Sequence, residues 1–266
     1  MNLEGDKVIG IVGGMGPMAG NALFSSIIRH TSAFEDQQHL SVILISLPRY
    51  IRDRTSYLET LSGDNPAYNI AEVIIKLERA GGKIIGIACN TSHTPEIYNI
   101  ILQELSRLNS QVRLVNMPVE TCRYIWENYP KVKRIGLMAT NGTYRSGIYT
   151  NLLQEWGYEP VIPDFSIQDN VIHKMIYDPV SGIKPNAGGI TEEGRSLMER
   201  ALTFFEEKKA DAVILGCTDL SAVITQKTAG NLVIVDSTDA LAMGLIREAV
   251  QERNGQGNDR RYKLVI

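Results

Sequence analysis

Lys83-Ile-Ile-Gly-Ile-Ala-Cys-Asn-Thr91 and Asp211-Ala-Val-Ile-Leu-Gly-Cys-Thr218 share one pattern: a short apolar run closed by a cysteine and then small polar residues. Each reads as a buried parallel strand, because its aliphatic residues run continuously instead of alternating with polar ones. A second pair repeats at nearly the same spacing. Lys7-Val-Ile-Gly-Ile11 resembles Lys133-Arg-Ile-Gly-Leu137, with Ile9 and Ile135 set 126 residues apart and Cys89 and Cys217 set 128 apart. Two landmarks at almost one offset point to two similar halves, each with a cysteine at the end of its third strand.

Working outward, strands are expected near 7–12, 41–46, 83–89, 112–117, 134–139, 158–162, 212–215 and 232–235. Helical periodicity covers 18–31, 66–80, 95–108, 119–129, 192–208 and 238–251. Strands alternating with helices define an α/β fold with mainly parallel sheets. The repeat suggests two similar halves, each a four-stranded sheet flanked by helices; if they face each other, the thiols flank one ligand between them. The first domain is drawn as 1–116 plus 231–266 and the second as 117–230. Ligands of such sheets bind beyond the carboxyl ends of the strands, where both cysteines fall.

Composition narrows the partners. The 266 residues are 44% hydrophobic and 21% charged, with a net charge of −3 and three cysteines. No basic stripe is present to neutralise phosphates, so nucleic acid is not an expected partner. No run is long and apolar enough to span a membrane, and Met1–Lys7 lacks a signal-peptide pattern. Reduced thiols and a cytoplasmic location are expected. The tail Asn254–Asn258 reads as flexible, and Tyr262–Ile266 has no derivable role.

Cys89 opens Cys-Asn-Thr-Ser-His before the helix that Pro95 begins, and Cys217 lies in Gly-Cys-Thr-Asp-Leu before another expected helix. A thiol near a helix N-terminus meets a positive partial charge that favours thiolate. A buried, inert cysteine is the common alternative, and Cys122, within a helical segment, is read that way. Two cysteines at equivalent places favour chemistry. Gly10-Ile-Val-Gly-Gly-Met-Gly-Pro17 is a glycine turn that either offers backbone N–H groups to an anion or simply turns the chain. Its spacing is neither the dinucleotide fingerprint nor a P-loop. Arg49-Tyr-Ile-Arg-Asp-Arg-Thr55 sets arginines at the ligand edge, either as carboxylate partners or as a solvated loop. His93, four residues after Cys89, supports it from behind or caps a turn. No metal-ligand spacing and no Gly-x-Ser-x-Gly elbow is present.

Gly13-Gly-Met-Gly-Pro17, the Pro48…Asp53-Arg-Thr55 loop, Cys89-Asn-Thr-Ser-His93, Ala139-Thr-Asn-Gly-Thr143 and Gly216-Cys-Thr-Asp219 together resemble the aspartate/glutamate racemase family. The resemblance runs from residue 8 to about 250. It implies two pseudo-symmetric domains with the active site in the cleft between them. The enzyme it implies needs neither pyridoxal phosphate nor metal and acts as a homodimer on a small amino acid. One cysteine, as thiolate, would remove the α-proton while the other, as thiol, returns a proton to the opposite face. Gly14 and Met15 of the turn, Asn90, Thr91 and Thr218 are its expected donors to the α-carboxylate. Thr140, Gly142 and Thr143 are further substrate-side positions. Arg54 falls on the family arginine for an acidic side chain, and Gln168 on a recurrent cleft position.

Two departures bear on the substrate. Asp219 stands where Glu is common, and Ser181 occupies the family lysine position, with Lys184 three residues on as the substitute. The Asp-Ser-Gly and Gly-Cys-Thr-His of cell-wall glutamate racemases are missing, which favours aspartate. The alternatives are a hydantoin racemase, a maleate isomerase, or a non-catalytic carboxylate-binding protein whose cysteines only pack. A thiol-redox enzyme is disfavoured because no Cys-x-x-Cys occurs.

Overall fold

A computed structural model describes residues 7–186 and 189–251. The expectations for the extreme N-terminus and for the tail beyond residue 251 lie outside the described residues. Among those described, no helix is long and apolar enough to cross a membrane.

The first half runs β1 (Val8–Gly13), α1 (Pro17–His30), β2 (Val42–Ser46), α2 (Arg54–Thr60), α3 (Pro66–Arg79), β3 (Gly82–Ile87), α4 (Pro95–Arg107) and β4 (Arg113–Val115). Its strands pair in parallel in the order β2-β1-β3-β4. Prolines at the first turns of α1, α3 and α4 suit positions whose N–H has no intrahelical acceptor. Asp53 and Asn65 cap α2 and α3 by accepting the Ser56 and Ala67 N–H groups.

The second half continues with α5 (Met117–Asn128), β5 (Arg134–Ala139), α6 (Asn141–Ser146), α7 (Ile148–Glu155), β6 (Glu159–Val161), α8 (Phe165–Ile167), a π-helical turn over Gln168–His173, and α9 (Lys174–Tyr177). Then come α10 (Glu192–Glu207), β7 (Ala212–Gly216), β8 (Thr228–Ala229), β9 (Leu232–Asp236) and α11 (Ser237–Gln251). Its sheet has the order β6-β5-β7-β9-β8. The first four strands repeat the first half's order. β8 adds a short antiparallel edge, so this sheet has five strands where four were expected.

The halves exchange their last helices. From α5, Cys122 and Ile125 pack with Ile135, Leu137 and Ile214 of the second sheet. From α11, Leu241, Ala242 and Leu245 pack with Ile9, Ile11 and Ile84 of the first. Where the two helices meet, Gly244 leaves room for Glu120, since a Cβ there would stand 2.7 Å from its Cγ. Arg247 grips that carboxylate at 2.7 and 2.8 Å. The boundary drawn at residue 231 therefore needs correcting. β9 hydrogen-bonds to β7 in the second sheet, and only α11 returns to the first half.

Besides three 3-10 turns, the described helical stretches outside the expected ones are α2, α6, α7 and the run from α8 to α9. Each α-helical piece among them is of eight residues or fewer, too brief for an apolar stripe to register in the sequence.

Candidate active site

In both sheets the strand order reverses direction next to the first strand, between β1 and β3 and between β5 and β7. That reversal opens a crevice at the carboxyl ends of the strands. The glycine turn after β1 and Cys89 after β3 flank the first crevice. Thr140 after β5 and Cys217 after β7 flank the second. The crevices face one another. Gly16 of the first turn lies against Asp219, its Cβ position 3.7 Å from Oδ1. Gly14 is there for a backbone reason. Its φ is +88°, and a Cβ would meet the Leu47 and Pro48 nitrogens at 2.8 and 2.9 Å.

A cavity of about 450 Å³ opens between the halves. It is walled by Gly14, Gly16, Pro17, Met18, Pro48, Ile51, Asp53 and Arg54 of the first half and by Lys184, Pro185 and Asp219 of the second. Neither cysteine belongs to this lining. Cys89 and Cys217 are 5% and 6% exposed, behind Arg54 and Asp219 respectively. Cys217 lies close enough to Cys89 to feel its charge.

Cys217 Sγ donates to Asp219 Oδ2 at 3.6 Å. Lys184 Nζ holds the same oxygen at 2.7 Å and lies 5.0 Å over the Tyr177 ring. Burial first, then the Asp219 charge, pushes the Cys217 thiol up, while Lys184 opposes them. Burial works against the Lys184 ammonium, but Cys217 and Asp219 outweigh it and keep it charged. Burial also works against Arg54, and there Cys89 and Asp53 outweigh it. Arg54 Nη1 donates to the Arg52 carbonyl at 3.0 Å, and its buried Nε has no protein acceptor. At Asp53 burial is outweighed by Arg54, the Ser56 N–H and the Tyr177 hydroxyl, which hold its carboxyl below the usual range.

His93 is buried, with Nδ1–H donating to the Cys89 carbonyl at 2.9 Å and Nε2 accepting the Met117 N–H at 3.3 Å. These partners fix the neutral tautomer, and burial lowers its pKa to about 4. The ring holds the backbone of Cys89 and does not touch the cavity.

Of the expected contact residues, Gly14, Arg54 and Lys184 line the cavity, as does Asp219. The others are engaged elsewhere. Met15 is buried in the first-half core, where its sulfur accepts the Ser92 hydroxyl. Asn90 donates to Ser237 Oγ at 3.0 Å and accepts the Tyr149 hydroxyl at 2.5 Å. Thr91 lies within 3.1 Å of the Thr140 hydroxyl and 2.9 Å of the Thr143 hydroxyl, a cluster joining the halves. Gly142 packs α6 onto α2 and lines a separate, smaller hollow. Gln168 is fully buried and donates to the Ala139 carbonyl and Asn141 Oδ1. Thr218 is buried beside Cys217. Ser181 turns the chain by donating to Asp178 and lies away from the cavity.

The dipole expectation also needs correcting. Cys89 precedes a four-residue 3-10 turn, and Cys217 lies in a bend separated by two residues from a three-residue one, so neither thiol sits on a full helix. Sequence reasoning missed Asp53 and Tyr177 as cleft residues. Asp53 was legible as a helix cap three residues before Ser56, whereas nothing in the sequence marks Tyr177.

Residues 12–245 match the family described as Asp/Glu/hydantoin racemase. The chain is 27% identical over 248 residues to the broad specificity amino-acid racemase RacX of Bacillus subtilis (strain 168), covering 90% of this chain and 96% of that one. It is 31% identical to the aspartate racemase of Picrophilus torridus, with a TM-score of 0.73 over 91% of this chain and 94% of that one. The glutamate racemase isoform RacE1 of Bacillus anthracis shares the fold, at 18% identity and a TM-score of 0.63 over 94% and 83% of the two chains. With its paired sheets, facing crevices and nearly full-length match, the chain belongs to the Asp/Glu/hydantoin racemase family.

Proposed function

We propose that this chain interconverts the enantiomers of an acidic amino acid, aspartate foremost, by a two-base reaction between Cys89 and Cys217. The observation that carries the reading is the equivalence of the two cysteines. Each follows the third strand of its half, and Cys217 lies close enough to Cys89 to feel its charge. A proton leaving one face of Cα and a proton arriving at the other require two groups on opposite sides. One cysteine from each half satisfies that need without motion of a single base across the substrate. Burial strengthens every charge interaction around the carbanion-like transition state.

The acidic preference is supported by Arg54. Its guanidinium is buried, charged and has an open Nε donor, which suits bidentate pairing with a carboxylate. The similarity to the aspartate racemase of Picrophilus torridus points the same way. One observation favours a second reading, a wider range of amino acids. The cavity of about 450 Å³ has an apolar wall of Pro17, Met18, Pro48 and Ile51, which a longer side chain would cover.

The test is NMR in D2O of L- and D-aspartate and glutamate, then neutral and basic amino acids, with the reduced enzyme, Cys89→Ala and Cys217→Ala. Exchange of the α-proton with formation of the opposite enantiomer, lost in both variants, is the expected result. Undiminished racemisation in either variant would rule out the two-base scheme.

A further inference from the structure

The two sulfurs, equally buried, face opposite charges. Cys89 sits beside the Arg54 guanidinium, itself next to Asp53. Cys217 donates to the Asp219 carboxylate at 3.6 Å, and Lys184 fastens the same oxygen from the cavity side at 2.7 Å. The other charged group felt by Cys217 is Cys89 itself. Asp219 is thus held between Cys217 and Lys184 through one oxygen, and its other oxygen lies 3.7 Å from where a Cβ on Gly16 would stand. We propose that Asp219, fastened by Lys184, keeps the resting proton on Cys217, so that the free enzyme stands with Cys89 as base and Cys217 as acid. Asp219 and Lys184 are thus positioning residues for the proton, and the proposal rests on the two-base reading above.

The step balances without any oxidant. The Cys89 thiolate takes the α-proton, the C–H electron pair stays on carbon, and the Cys217 S–H gives its proton to the opposite face. That leaves a thiol at Cys89 and a thiolate at Cys217. Asp219 disfavours the thiolate, so a proton passing through solvent from Cys89 to Cys217 resets the pair. The equilibrium constant between enantiomers is unity, so kcat/KM must stay equal in the two directions whatever the asymmetry. It is therefore read on the sulfurs themselves.

The experiment follows iodoacetamide labelling of the free, full-length enzyme across neutral pH, with mass spectrometry of each cysteine peptide. Cys89 and Cys217 have matched exposures of 5% and 6%, so differences report the thiolate, while fully buried Cys122 reports unfolding. Cys89 is expected to label about tenfold faster than Cys217 or more. Asp219→Asn, which leaves Lys184 facing the sulfur, should speed Cys217 labelling by about tenfold. Lys184→Met should slow it, and Asp219→Glu should keep the wild-type ratio.

Equal labelling of the two sulfurs in the wild type, or an unchanged ratio in Asp219→Asn, overturns the proposal. The wild-type ratio decides even where a variant does not fold. Racemisation measured on the same samples separates the two ideas. Turnover with symmetric labelling sinks the proton assignment alone. Asymmetric labelling without racemisation of any amino acid sinks the two-base reading and upholds the role of Asp219.

Discussion

The Tyr177 hydroxyl donates to Asp53 Oδ2 at 2.9 Å, joining the end of α9 in the second half to the cap of α2 in the first. The same ring lies under Lys184, so one aromatic side chain ties together both charged pairs of the cleft. Arg54 follows Asp53 in sequence, and the Tyr177 bridge therefore helps to set the guanidinium.

Tyr177→Phe removes the bridge and keeps the ring. A hydrogen bond to a charged acceptor contributes about 1.5–3 kcal/mol. The expected outcome is a fall of roughly tenfold in kcat/KM together with a lower urea midpoint, corresponding to a stability loss of up to about 1.5–3 kcal/mol. A polarimetric assay beside a denaturation curve reads both.

Arg54→Lys keeps a positive charge but loses the planar fork. Racemisation of aspartate is expected to drop by at least about tenfold in kcat/KM, mostly through KM. Neutral amino acids should suffer less. Equal losses for both substrate classes would remove the argument for an acidic side chain.

His93 is neutral when folded, with its pKa lowered to about 4 from 6.5 by burial. The unfolded chain therefore binds its proton first as the pH falls. Stability from this group is complete above the unfolded value and is lost as the pH drops toward 4. Against His93→Gln, the wild type should lose roughly 2–3 kcal/mol more between neutral pH and pH ~4.5. Urea melts at the two pH values measure this.

Gly142→Ala places a Cβ 2.9 Å from Thr91 Cγ2, 3.0 Å from Thr55 Oγ1 and 3.1 Å from Leu58 Cδ1. Overpacking of this kind costs about 1–3 kcal/mol. Here it also pushes α6 from α2, which joins the halves. A lower urea midpoint is expected, together with reduced racemisation; unchanged values of both would show that the contact yields freely.

Much of the fold was legible because burial dictates residue type. Parallel strands covered on both faces must be continuously apolar, so β1, β3, β5 and β7 announced themselves, as did the duplicated cysteine at the ends of β3 and β7. Prolines at 17 and 95 marked helix starts for an equally local reason. The pairing of β9 was harder to read. An aliphatic strand carries no label for its sheet, and the linear cut at 231 separated it from β7, its neighbour.

The candidate site divided along the same line. Sequence alone determined the two halves, the two cysteines and the loops that hold Gly14 and Arg54, because turn geometry and strand burial are constraints between near neighbours. Tertiary structure decided what each polar side chain does once there. It turned Asn90, Thr91 and Gln168 toward protein partners, drew Lys184 onto Asp219, and brought Tyr177 across to Asp53. Those choices depend on which groups meet when two sheets close over a cleft. A hydrogen bond or ion pair between residues 35 or 124 positions apart leaves no periodic trace along the chain.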